Sequence, residues 1–217
     1  AQESYLAFDK ILDIAKKTNV DAIHPGFGFL SENDFFAQKV INLGITWIGP
    51  KPLSIKSMGN KDVARELAIN SNIPICPGIS DVQKYNEEQL NKECDRIGYP
   101  LLVKSSAGGG GIGMSIVQNH KDLAGAIEKT STLAEKSFGN GDIFIEKFIT
   151  NARHVEIQVF GFGSQGSVHL FERDCSMQRR YQKIIEESPA PEIDRSIIDS
   201  MAAAAVKLAS DVKYEGA

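Results

Sequence analysis

The sequence is poor in the features that mark several classes of protein. It holds three cysteines in 217 residues, Cys76, Cys94 and Cys175, with no CxxC spacing. That excludes a disulfide framework and a cysteine zinc site, and it points to reduced thiols in the cytoplasm or an organellar matrix. No apolar run reaches the roughly 18 residues a membrane-spanning helix requires, and the basic-then-apolar order of a signal peptide is missing. Positive charge is in deficit: 24 Lys and Arg face 28 Asp and Glu, a net −4. No overall field attracts nucleic acid, so any anion site has to be built locally. There is no internal repeat. What remains, 42% hydrophobic and 24% charged, is a globular chain able to bury about 70% of its unfolded surface.

The punctuation predicts α/β followed by α+β structure. Phe8, Ile11, Leu12 and Ala15 recur at helical spacing behind Ser4 as a candidate cap. A short apolar segment, Ala22 and Ile23, a helical stretch through Phe35 to Ile41, and a strand-like Ile45 to Ile48 give the βα alternation of a parallel sheet. Gly49-Pro50-Lys51-Pro52 marks a boundary and a linker region, within which Asp62 to Ile69 is helical. The pattern then reads helix (Glu87 to Ile97), strand (Leu101 to Lys104), glycine run, strand (Met114 to Val117), helix (Leu123 to Ser137) and strand (Ile143 to Phe148). A period of two follows, predicting a strand with His154, Glu156 and Gln158 on a polar face and Val155, Ile157 and Val159 on a buried one. A hairpin through Gly161 to Gly166 leads to a strand at Val168 to Phe171, and a final helix runs from about Ile197 to Lys213.

Two features carry chemistry. Five of the 19 glycines, Gly108 to Gly111 and Gly113, fall within six positions. Such a run lets successive backbone N–H groups turn into one concavity able to hold phosphate oxygens, and Lys104 just before it adds a full charge. The spacing fits neither a P-loop nor a dinucleotide fingerprint; a lid over phosphates fits better, against the plain alternative of a floppy hairpin tip. The second feature is a basic loop, Arg173, Arg179, Arg180 and Lys183, in an otherwise acidic chain. These cations suit a phosphate or a small carboxylate-like anion, or else pair with Asp174, Glu186 or Glu187.

The motifs HPGFGFLSEN (residues 24–33), MGNK (58–61), Lys104 with the glycine run through Met114, EKFI (146–149), RHVEIQV (153–159) and the stretch from Glu172 to Pro191 together resemble, in order and spacing, the biotin carboxylase component of biotin-dependent carboxylases. The likeness spans nearly the whole chain. Its first and last motifs are specific, whereas the glycine lid and the EK-x-[IL] hinge are shared across ATP-grasp proteins.

The resemblance implies an ATP-grasp fold. It would comprise a partial Rossmann-like N-terminal domain (residues 1–48), a connecting segment (49–75), a lid domain (76–148) and the start of the large C-terminal lobe (149–217). It implies that Lys61 and Lys104 bind ATP phosphates under the backbone of Gly110 and Gly111. Glu146, Lys147, Phe148 and Ile149 would form the adenine hinge, with Phe148 packed in the core. His154, Gln178 and Tyr181 would surround the ribose and phosphates, and Lys183 would hold bicarbonate as the catalytic residue. Bicarbonate would attack the γ-phosphate to give carboxyphosphate, which delivers CO2 to N1 of biotin. Mg2+ or Mn2+ would bridge the phosphates through ligands beyond residue 217, so the chain by itself is expected to be inactive. The implied partners are a biotinylated carrier, a carboxyltransferase component and a second copy of the chain, with no nucleic acid and no membrane. Ala107, Ile112, Tyr181 and Phe27 depart from the family's commoner residues. Two other readings are another ATP-grasp ligase, such as one making carbamoyl phosphate, and a non-catalytic nucleotide-binding module.

Overall fold

The computed structural model of the protein describes residues 3–106, 113–179 and 182–217, apart from the side chains of Lys61 and Phe138. The chain divides into two compact units, one of Ala1–Gly59, Ile157–Glu172 and Glu192–Ala217, the other of Asn60–Glu156 and Arg173–Pro191. No helix among the described residues is long and apolar enough to cross a membrane.

In the first unit, α1 (Phe8–Lys17) and α2 (Asp34–Asn42) flank the short parallel pair β1 (Ala22–Ile23) and β2 (Thr46–Trp47). This is the expected βα alternation. Leu12, Leu30, Phe36 and Val40 are buried together, with the Phe36 and Trp47 rings edge to face at 5.8 Å. Ser4 does not cap α1. The cap position is Ala7, which makes no side-chain cap bond, and Ser4 accepts the Ala7 amide in a preceding turn. The expected linker is also more ordered than its glycines and prolines suggest. Helix α3 (Pro52–Gly59) starts on Pro52, where a missing N–H costs nothing and the fixed φ suits a first helical turn.

The second unit opens with α4 (Lys61–Asn70), capped by Asn60, whose side chain accepts the Asp62 and Val63 amides. Its four-stranded sheet has the order β3-β6-β4-β5, with β3 (Gly78–Ile79), β4 (Leu101–Ser105), β5 (Met114–Val117) and β6 (Ile143–Lys147) antiparallel throughout. Helices α5 (Glu87–Ile97) and α6 (Leu123–Phe138) complete it. Asn86 and Gln89 close a capping box on α5. One sheet face contributes Leu101, Val103, Val117, Ile143 and Ile145 to a core with Leu90, Cys94 and Leu123 from the helices.

The second sheet has the order β10-β7-β8-β9, and β7 (Val155–Phe162) and β8 (Ser167–Arg179) run from one unit into the other. Of the residues expected as a basic loop, Arg173, Arg179 and Lys183 are strand and Arg180 lies outside the described residues: β8 continues to Arg179 and β9 (Gln182–Glu187) pairs back on it with bulges near Met177. Arg173 on β8 pairs with Glu186 on β9, and both Arg173 and Lys183 pair with Glu156 on β7, which lets charged residues stay in a sheet. His154 precedes β7, and Val155 to Val159 are all half-buried, so the expected division into one buried and one polar face is not found. In the first unit α7 (Arg195–Asp211) leads to β10 (Glu215–Gly216), which pairs with β7. A Cβ at Gly161 would stand 2.1 Å from the Tyr214 carbonyl oxygen, so only glycine permits that approach.

Candidate nucleotide and bicarbonate site

The antiparallel register fixes which side chains share the face of the β3-β6-β4-β5 sheet opposite its core. Leu102 pairs with Ile116 and Glu146, and Lys104 pairs with Met114 and Phe144. All six therefore lie on one face. Lys104 Nζ donates to Glu146 Oε1 at 2.6 Å, and the two side chains are 22% and 19% exposed. The same ammonium lies 5.2 Å from the Phe144 ring centroid, and the Arg65 guanidinium is 5.3 Å from it. Phe144 can lie there because residue 78 has no side chain: a Cβ at Gly78 would meet Phe144 Cζ and the Ile145 carbonyl oxygen, each at 2.7 Å.

The segment expected as the adenine hinge, residues 146–149, begins at the end of β6. Lys147 turns its ammonium to the Gly98 and Tyr99 carbonyls, each at 2.9 Å, so its side chain braces the fold. Its amide donates to Pro77, and the Phe148 amide donates to Pro100. The Cys76 thiol reaches the Lys147 carbonyl at 3.4 Å, and burial leads the influences that raise that thiol's pKa. Phe148 is half-buried and Ile149 is exposed.

A second cluster stands on β7, β8 and β9 within the same unit. Glu156 accepts from both Arg173 and Lys183, and Arg173 also reaches Glu186 at 3.0 Å. Burial works to raise the Glu156 carboxyl, but the hydrogen bonds and charges of Lys183 and Arg173 outweigh it and hold it below the ordinary carboxylate range. The Lys183 ammonium is raised, first by its bond to Glu156. His154 Nδ1 and Gln178 Nε2 are 2.7 Å apart, and the Gln178 amide also donates to the Cys175 carbonyl. Arg153 pairs with Asp174, whose carboxyl falls to about 2, chiefly through hydrogen bonds from Ser176 and then from Arg153.

Glu156, Cys175 and Glu186 bring three ligand atoms within 4.8 Å of one another. The donor set does not fit Mg2+ or Mn2+: both carboxylates already serve cations, and Cys175 is a buried thiol whose pKa burial raises. A cavity of about 930 Å3 opens in the second unit, lined by Val82, Leu90, Leu123, Ile127 and Ile143 among others. None of the expected site residues lines it, so charge and not volume locates the site.

The structure thus joins Lys104 to Glu146, His154 to Gln178, and Lys183 to Glu156. Lys61 opens α4, but its side chain, like Gly110, Gly111 and Tyr181, lies outside the described residues. Sequence reasoning missed Arg65 and Phe144. Neither sits in a run or a motif that signals chemistry; the β4-β6 register sets Phe144 opposite Lys104, and Arg65 of α4 meets the same ring. It also left open whether the basic residues were ion-paired; Arg173 and Lys183 are.

Comparison with known proteins follows from this geometry. Residues 60–217 match the family model for the carbamoyl-phosphate synthase L chain, ATP binding domain, and residues 1–55 match that for the biotin carboxylase N-terminal domain. The chain is 44% identical over 217 residues to biotin carboxylase 1 of Bacillus subtilis, covering 100% of this chain and 48% of that protein. Among solved structures, a biotin carboxylase–βγ-ATP complex from Campylobacter jejuni superposes with a TM-score of 0.92 at 40% identity, covering 100% of this chain and 48% of the other. The biotin carboxylase domain dimer of Hydrogenobacter thermophilus 2-oxoglutarate carboxylase, with MgADP, ADP and bicarbonate, gives 0.89 at 39% identity over 97% of this chain and 46% of that one. The chain spans about half the length of these relatives.

Proposed function

The chain belongs to the biotin carboxylase family of ATP-grasp fold, and from that premise we propose that it serves the ATP-dependent carboxylation of biotin on a carrier by bicarbonate. The observation that carries this is the Lys104–Glu146 pair on the lid face opposite the core, next to the glycine run. A lysine so placed is charged and held in position, yet has one carboxylate to exchange for phosphate oxygens.

In this reading the lid comprises residues 76–148, between the N-terminal domain (1–48) with its connecting segment (49–75) and the large lobe that starts at 149. Lys104 moves from Glu146 to the triphosphate, Lys61 adds a second charge, and the backbone of Gly110 and Gly111 closes over the phosphates. Phosphoryl transfer gains mainly from positioning and charge neutralisation, which these groups supply. At the hinge the Lys147 and Phe148 amides are already engaged and the Lys147 carbonyl accepts the Cys76 thiol, so the second lone pair of that carbonyl and the Ile149 amide read the base beside Glu146. His154 and Gln178, already hydrogen-bonded to each other, hold the ribose and phosphates with Tyr181. Lys183, kept protonated by Glu156, orients bicarbonate. A bicarbonate oxygen attacks the γ-phosphorus and ADP leaves; carboxyphosphate then splits into CO2 and phosphate, and as N1 of biotin captures the CO2 the released phosphate takes the N1 proton. Mg2+ or Mn2+, when bound, neutralises phosphate charge, and none of the steps above is assigned to it. A carboxyltransferase component, a second copy of the chain and a cytoplasmic or matrix setting complete the reading.

Titration of ADP into the intact protein tests the premise. Lys104→Met is expected to weaken binding about tenfold or more, the loss of one charge-assisted hydrogen bond. An unchanged affinity refutes the site. Bicarbonate-dependent phosphate release stimulated by free biotin tests the reaction itself.

A further inference from the structure

The cation beside Phe144 has no role in the scheme above. Arg65 stands on α4, and its Nη1 donates to the Cys76 carbonyl at 2.7 Å while its guanidinium faces the Phe144 ring. Among the described residues no carboxylate lies within ion-pairing distance of it, whereas Lys104 at the same ring is matched by Glu146. Two like charges around one aromatic ring repel each other, so the arrangement is not explained by fold stability alone. It is built with some care, since Gly78 must lack a side chain for Phe144 to fit, and the guanidinium is fixed at its other end by a backbone carbonyl.

We propose that Arg65 is a positioning residue for the nucleotide: it holds the Phe144 ring in the Gly78 slot and so keeps the Lys104 ammonium aimed along the sheet face where the phosphates bind. The Lys104 ammonium is placed by its bond to Glu146 and by the Phe144 ring, and a ring free to rotate would give the lysine a second resting place. The guanidinium is suited to the task because one planar group can donate to a carbonyl and lie against a ring at once, which an ammonium does less well. The inference rests on the nucleotide-site reading of Lys104.

The test is a double-mutant cycle on ADP and adenosine affinity in the intact protein, with Arg65→Met, Lys104→Met and the pair. Arg65→Met is expected to weaken ADP about fivefold and adenosine little, because the residue acts through a phosphate-binding lysine. The double variant is expected to bind ADP no worse than Lys104→Met alone. Arg65→Lys is expected to restore part of the loss, and Phe144→Leu to reproduce it, which keeps the test decisive if Arg65→Met folds poorly. Additive losses in the double variant, or an equal loss for adenosine, would overturn the proposal. If Lys104→Met itself leaves ADP affinity unchanged, the site reading fails instead, and the two failures are told apart.

Discussion

Adjacent leucines on β4 face opposite ways, and substituting each separates the fold from the site. Leu101 is 0% exposed within the core of the second unit, against Leu90, Cys94, Val117 and Ile145 as members of the same cluster. Leu102 is half-buried on the face that carries Lys104 and Glu146. Leu101→Ala deletes three buried carbons from the central strand of a close-packed layer. It is expected to cost about 3 kcal/mol, within the roughly 2–5 kcal/mol span of such truncations. For a unit of this size that lowers the melting temperature by roughly 10 °C or more. Leu102→Ala leaves the core intact and costs about 1 kcal/mol, but it removes apolar surface a bound base would cover, weakening ADP about fivefold. Thermal unfolding by circular dichroism and ADP titration, run on both variants, read the two quantities separately. Equal destabilisation by the two substitutions would refute the assignment of faces. Undiminished ADP affinity in Leu102→Ala would refute the placement of the nucleotide.

Three further outcomes follow from the same packing. Glu156 and Asp174 titrate below their free values in the folded protein. Their stabilisation is therefore complete above those free values and is lost as pH falls through the folded ones; urea unfolding between about pH 6 and pH 3 should show stability declining on acidification, with a smaller decline in Glu156→Gln. Gly78→Ala sets a Cβ 2.7 Å from Phe144 Cζ and the Ile145 carbonyl oxygen, and the required shift is expected to cost about 1–3 kcal/mol in denaturant unfolding. Asn86→Ala removes the capping box of α5 and is expected to cost about 1 kcal/mol by the same measurement, without altering ADP affinity.

Much of this protein was already determined by its sequence. Glu87–Ile97 and Met114–Val117 have in the structure the limits their patterns predict, because helical and strand periodicity are local properties of which side chains meet water. The glycine run with Lys104 and the cations around Lys183 raised a phosphate site only as an expectation, and the family likeness lay in the order and spacing of the motifs. Local pattern failed where a residue's state depends on distant partners. Pro52 reads as a breaker but opens a helix, and the charges from Arg173 to Lys183 read as a loop but lie largely in a paired hairpin. Nothing in the sequence joins Arg65 to Phe144 and Lys104, 79 and 39 positions on. Their meeting was decided by strand register and by the missing Cβ of Gly78, since through-space attraction between a cation and a ring acts over a few ångströms and is blind to distance along the chain.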